Sequence, residues 1–188
     1  TWNVLALQAG LKVPLTLTKG KYYIFIEPQV NYNIYNLIPK KKYPFDAFSG
    51  YYQAMEYDLW GYNLIKTSLR DINPRWGQVL DITYRHTPFS GAQIGSITAL
   101  QAIVYFPGIG RHHSLSIYAG YQHKSGKEYI FGDIVSPPHG LEYQTYKKIC
   151  TLKGAYQMPL FYPDWSIGSL LYIKRFRASL YYDYAHMT

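Results

Sequence analysis

The side chains that could carry chemistry are few and scattered. Of the six histidines, two adjoin in "PGIGRHH", where His112 and His113 follow Arg111. Neighbours in an extended chain point to opposite faces, so this pair makes a poor chelate. A polar turn fits it better, with an anion or headgroup contact beside Arg111 as the alternative. His86, next to Arg85, ends an alternating stretch and suits a membrane rim. Ser90 and Ser114 are conceivable nucleophiles, yet no G-x-S-x-G elbow surrounds either, and no spacing joins them to a histidine. Cys150 is the only cysteine, which leaves no intrachain disulfide and no thiol pair for zinc. This inventory assigns no catalytic, cofactor-binding or metal-ligating residue, and the chain reads as a non-enzyme.

Charge does follow a pattern, because it alternates with apolar residues. In "KYYIFIEPQVNYNIY", Ile24, Ile26, Val30 and Ile34 share one parity, and Glu27, Gln29, Asn31 and Asn33 the other. A period of two over so many residues predicts one long strand, beyond the usual 5–6 residues. The same period recurs in "LKVPLTL", in "YYQAMEYDLW" with Asp58, and in "QVLDITYRH" with Asp81 and Arg85. It recurs again in "SLSIYAGYQ" and in "FRASLYYDY" with Arg177 and Asp183. "GSITALQAIVY" is strand-like but has no clean polar face. Arg175, Arg177 and Asp183 are expected on one strand parity. Glu27, Asp58, Asp81, Arg85, Arg175, Arg177 and Asp183 are together expected to face a wet lumen, while Ile24, Ile26, Val30, Leu115, Ile117 and Leu180 face lipid. Cys150, in phase with Leu152, Tyr156 and Met158, takes an apolar wall position.

Composition agrees with a wall of strands. Mean hydropathy is only −0.21, and no run approaches the ~18 apolar residues of a membrane helix. Tyrosine, with 22 copies, suits both strands and the lipid–water boundary. The net charge of +8 permits nucleic acid as a partner, but the basic residues are dispersed apart from Lys40-Lys41-Lys42. A solvated or headgroup-facing set fits better, and no nucleic-acid partner is expected. A lipocalin-like barrel and a two-sheet sandwich share the alternation. Strand length, tyrosine density and the charged faces favour a transmembrane barrel, since an aromatic band exposed to water would be a large adhesive patch.

The connections alternate in length, as they do in membrane barrels. Short turns are expected at 18–21, 69–77, 107–113 and 159–166 on one rim. Longer links are expected at 37–49, 88–94 and 123–142 on the other, as solvent-exposed outer loops. Arg75, Trp76, Arg111, Tyr162 and Trp165 fall in the short set and suit interface anchors. One helix is expected in "DWSIGSLLYIKR", with Asp164 as N-cap.

Three stretches carry a family resemblance: "SLRDINPRWGQVLDITYRHTPFSG", "QAIVYFPGIGRHHSLSIYAGYQ" and "YQMPLFYPDWSIGSLLYIKRFRASLYYDYA". They resemble the C-terminal outer-membrane β-barrel of large Bacteroidetes surface proteins, which often carry TolB-like propeller repeats ahead of it. That barrel is distantly similar to the BamA-like insertases. The resemblance spans roughly Leu11 to Ala185. It implies an all-β antiparallel transmembrane barrel occupying residues 1–188 as one domain, with about nine or ten strands, belonging to a longer chain. The "VRGF"-type motif of the insertases is not present, so the resemblance implies the barrel without that activity. The implied setting is the bacterial outer membrane. Lipid, lipopolysaccharide and other envelope proteins are the implied partners, and no cofactor is. The barrel would be an anchor or component of an assembly or translocation complex. A pore for small polar solutes and a membrane-embedded hydrolase are the alternatives.

Overall fold

The computed structural model describes residues 2–39, 50–68, 71–88, 95–126, 131–140, 146–168 and 171–188, and among them there is no helix. Eight long strands form a continuous antiparallel wall. They are β1 (Trp2–Lys12), β3 (Tyr22–Pro39), β4 (Gly50–Ile65), β5 (Gly77–His86), β6 (Ser96–Pro107), β7 (Ser114–Ser125), β8 (Lys148–Phe161) and β11 (Phe176–Met187). A short β2 (Leu15–Thr16) pairs with β3, and β9 (Trp165–Ile167) pairs with β10 (Leu171–Ile173) in a separate hairpin. The all-β antiparallel expectation holds. The wall is open, with β1 and β11 as unjoined edges, so it is not a closed barrel.

Local chemistry explains the breaks. Lys19 and Tyr22 exchange both backbone hydrogen bonds across Gly20-Lys21, and Gly20 takes the left-handed φ of 59° that this two-residue turn requires. Pro28 lies deep inside the 18-residue β3, yet proline cannot donate to a ladder. Its carbonyl accepts from Val13, so its donor-less edge faces the gap where Val13-Pro14 separates β1 from β2. Near the end of β8, Pro159 likewise coincides with a register shift against Phe176 and Arg177. The helix expected after Asp164 is instead the β9–β10 hairpin. Gly168 turns it at φ 58°, Asp164 itself has φ 47°, and the Tyr172 hydroxyl donates to the Asp164 carboxylate. A left-handed residue at the proposed N-cap is incompatible with entry into a helix.

One row of paired residues runs straight across the wall: Lys12, Gln29, Asp58, Thr83, Ala99, Gln122, Ile149, Met187. It meets β11 at its last residue, whereas β1 and β2, which pair with β3 in one register, reach past it to Thr16. Between the centres of the two edges the strands slip by about eight residues, ~28 Å, over seven steps of ~4.8 Å, which corresponds to a tilt of about 40°. The chain turns at 18–21, 66–76, 108–113 and 162–175 at one end of the wall. At the other end it leaves β3, β5 and β7 and re-enters β4, β6 and β8.

Candidate functional site

The pairing register sorts the wall into two faces. The apolar face carries Ile24, Ile26 and Val30 of β3, Tyr57 and Leu59 of β4, Leu80 of β5, Leu100 of β6, Leu115 and Ile117 of β7, and Leu180 of β11. Central members stay about two-fifths exposed, with Leu80 at 41% and Leu100 at 42%. His86 stacks there with Tyr57 and Tyr84 at ring separations of 5.8 and 5.1 Å. Cys150 and Leu152 belong to this face as well. Two shallow grooves indent it, one of about 270 Å³ at Gly61 and one of about 360 Å³ beside Ala102 and Ala119.

Glu27, Asp58, Asp81, Arg85, Arg177 and Asp183 lie together on the opposite, polar face. Arg175 stands in the link before β11 rather than in the strand, so strand parity assigns it to neither face. On this face Arg85 pairs with Glu56, Lys12 lies 3.6 Å from Glu27, and the Thr83 hydroxyl lies 2.9 Å from Asp58 and 3.3 Å from Asp81. The face is not polar throughout. Near the short-turn end, Phe25, Trp60 and Tyr62 form an aromatic group with ring separations of 5.3–5.5 Å.

A segment of the long connection, residues 131–140, lies across the polar face rather than out in solvent. Phe131 is buried against Tyr52, Ala54 and Ile97, and Val135 against Ala99 and Ile149. Gln122, fully buried, accepts from the Ile134 and Val135 amides at 2.7 and 3.1 Å and donates to Asp133 at 2.6 Å. The Lys124 ammonium lies 2.6 Å from Asp133, and both side chains are nearly inaccessible. Farther along, Lys153 donates to the Ser136 hydroxyl and the Pro137 carbonyl, and His139 meets Asp183 at 2.5 Å. Gly120 makes room for the segment, because a Cβ there would lie 2.6 Å from the Val135 side chain. The sequence reading placed this stretch in an outer loop. The apolar residues of "IFGDIV" were the signal against that placement. They also explain β6, whose Ile97 and Ala99 face the segment instead of water.

At the short-turn end two turns clasp one another. Asp71 accepts from the Ser68 amide at 3.0 Å and meets His112 at 2.6 Å, with Arg75 at 3.6 Å. Burial works against its charge, but the bonds from His112 and Ser68, with Arg75 nearby, hold the carboxyl below its usual range. Asn73 donates to Ser114 and Gln157, both at 3.2 Å. Ser114 is thus a buried structural acceptor. His113 turns the other way, onto the Tyr156 hydroxyl at 2.8 Å. Arg75, Trp76, Arg111, Tyr162 and Trp165 all lie at this end. Trp76 packs edge-on against Phe106 at 5.3 Å, and Trp165 is 59% exposed in the hairpin.

Ser90, Lys40-Lys41-Lys42 and Lys127 lie outside the described residues. Among the described residues no helix is long and apolar enough to cross a membrane, and no three metal-ligating side chains converge. No protein-family model, characterised protein or solved structure gives a significant match to the chain.

Proposed function

We propose that this chain forms wall of a transmembrane β-barrel in a bacterial outer membrane, acting as a non-enzymatic anchor or component of an envelope assembly or translocation complex. The sidedness of the wall carries this reading. An apolar face spread over eight strands far exceeds the few hundred Å² that soluble monomers expose, and in water it would drive aggregation. Against acyl chains it is solvated, and the grooves at Gly61 and Ala102 suit lipid tails. A strand tilt of about 40° falls within the 35–45° of membrane barrels. The partners are then outer-membrane lipid, lipopolysaccharide and neighbouring envelope proteins.

Lumen width bears on how the wall closes. Eight strands at this tilt enclose a cylinder of only ~8–9 Å radius, which side chains alone fill. The 131–140 segment adds a second backbone layer, whose Ile134 and Val135 amides bond directly to the Gln122 side chain of the wall. A barrel holding it needs more than eight strands. The layer also disfavours a freely open pore, because it spans the polar face from β4 to β11.

Spin labels on single cysteines test the sidedness, in a Cys150→Ser background reconstituted into liposomes. Labels replacing Leu80 and Leu100 should collide with oxygen, and those replacing Gln29 and Gln101 with a water-soluble nickel chelate. Equal water access on both faces would remove the membrane reading. Steady single-channel conductance would instead favour the pore.

A further inference from the structure

Trp60 stands where the wall's sidedness predicts a polar residue. It projects from the polar face, 37% exposed, and Glu27 and Asp81 are its direct partners on the two flanking strands. Phe25 and Tyr62 stand one pair nearer the short-turn end and stack on each other at 5.5 Å, and the indole lies edge-on to both. Asp58, two residues before Trp60, shares its face. Lipid contact cannot explain these rings, because they lie on the side away from the apolar face. The 131–140 segment does not explain them either: its buried contacts on β4 are with Tyr52 and Ala54.

The charges beside the rings are unbalanced. Glu56 has Arg85, and Glu27 has Lys12. Asp58 and Asp81 converge on one Thr83 hydroxyl, which carries a single hydrogen and can donate to only one of them. An electron-rich aromatic group bordered by carboxylates attracts a positive charge with an apolar surface. A neutral solute would leave the carboxylates uncompensated, and an anion would be repelled.

Going beyond the wall reading, we propose that this part of the polar face binds an organic cation, an alkylammonium or quaternary ammonium group, seated against Trp60 with Asp81 and Asp58 as counter-charges. A bare metal ion fits less well, since the aromatic surface would contribute nothing to its oxygen-ligand shell.

Choline and 3,3-dimethylbutan-1-ol, its neutral isostere, separate charge from shape. Binding is read by calorimetry and tryptophan fluorescence on the detergent-solubilised protein. Choline should bind saturably and at least ten-fold more tightly than the alcohol. Trp60→Leu and Asp81→Asn should each weaken it at least ten-fold, whereas Trp76→Phe, at the short-turn rim, should not change it. A strand-type circular dichroism spectrum must be retained in each variant; if Asp81→Asn does not fold, Asp58→Asn replaces it. Three outcomes would overturn the proposal: no saturable choline binding, equal affinity for the alcohol, or binding that survives Trp60→Leu. The spin-label collisions are a separate readout, so losing the cation site leaves the wall reading standing, and the reverse also holds.

Discussion

Replacing Asp133 by Asn should detach residues 131–140 from the wall without unfolding it. The substitution preserves shape but leaves the Lys124 ammonium, 2% exposed, without its carboxylate. Breaking a buried pair by removing one partner costs about 3–5 kcal/mol. The segment has little reserve against such a loss. Phe131 and Val135 contribute roughly 1.5–3 kcal/mol each by burial, and the Gln122 bonds about 1 kcal/mol each. Ordering ten residues costs about 1–2 kcal/mol per residue. Local opening should therefore become about 10²- to 4 × 10³-fold more frequent. Amide hydrogen exchange reads this directly at Ile134 and Val135, whose N–H groups donate to Gln122. Their exchange should accelerate by that factor, while amides in the β5–β6 ladder keep their protection. Adding Lys124→Met should restore much of the protection, because the unpaired charge is then gone. Unchanged exchange in Asp133→Asn, or equal acceleration across the ladder, would refute the view that this pair holds the segment locally.

Leu100→Arg on the apolar face should destabilise the reconstituted protein by about 2–4 kcal/mol. Gln101→Arg, opposite Asp81 on the other face, should cost much less; equilibrium unfolding in lipid vesicles compares the two. Asp71→Asn should cost about 1–3 kcal/mol in the same assay near neutral pH, by weakening charge-assisted bonds to His112 and Ser68. Since folding depresses the Asp71 pKa, the wild-type advantage is complete above the unfolded value of about 3.9 and fades as pH falls through the lower folded value. A wild-type advantage that grows on acidification would contradict that sign. Gly120→Val should drive the Val135 side chain off the wall, because even a Cβ there would meet it at 2.6 Å. Exchange at Val135 should rise with little change in β1 or β3.

The strands were legible because their cause is local. In β3, alternation from Tyr22 to Ile34 fixes which side chains share a face, and once neighbours pair the faces follow from register. β1 was harder to read. Its upstream part, "WNVLALQAG", has mixed parity, and Pro14 hides its continuity with β2; the ladder to β3 makes it a strand. The hairpin at 165–173 was misread because "SIGSLLYI" is apolar enough for a short helix. The left-handed backbone at Asp164 and Gly168 decides otherwise, and periodicity does not encode it. Arg175 was given a strand parity because spacing does not mark where β11 begins, and the strand starts only at Phe176. The Asp71–His112 contact joins two turns 41 residues apart. Each turn was readable, but their meeting depends on the ladders between them.

The missing polar face of "GSITALQAIVY" was evidence of a different kind. A strand in a two-sided wall should alternate, and β6 does not, because Ile97 and Ala99 pack under Phe131 and Val135. An apolar residue at a polar parity therefore implied a covering group on that side. The apolar run in "IFGDIV", inside a connection otherwise suited to solvent, was its counterpart. Read together, the two anomalies point to a second layer; read apart, each looks like noise. The same reasoning applies to Trp60 and Phe25, which also break the polar parity, on β4 and β3. No segment among the described residues covers them as Phe131 covers Ile97. Their flanking carboxylates distinguish them from Ile97 and Ala99, whose direct partners on β5 are the paired Arg85 and Thr83. Asp58 and Asp81, converging on one hydroxyl beside these rings, offer a cationic occupant the counter-charge that a purely structural covering layer would not use.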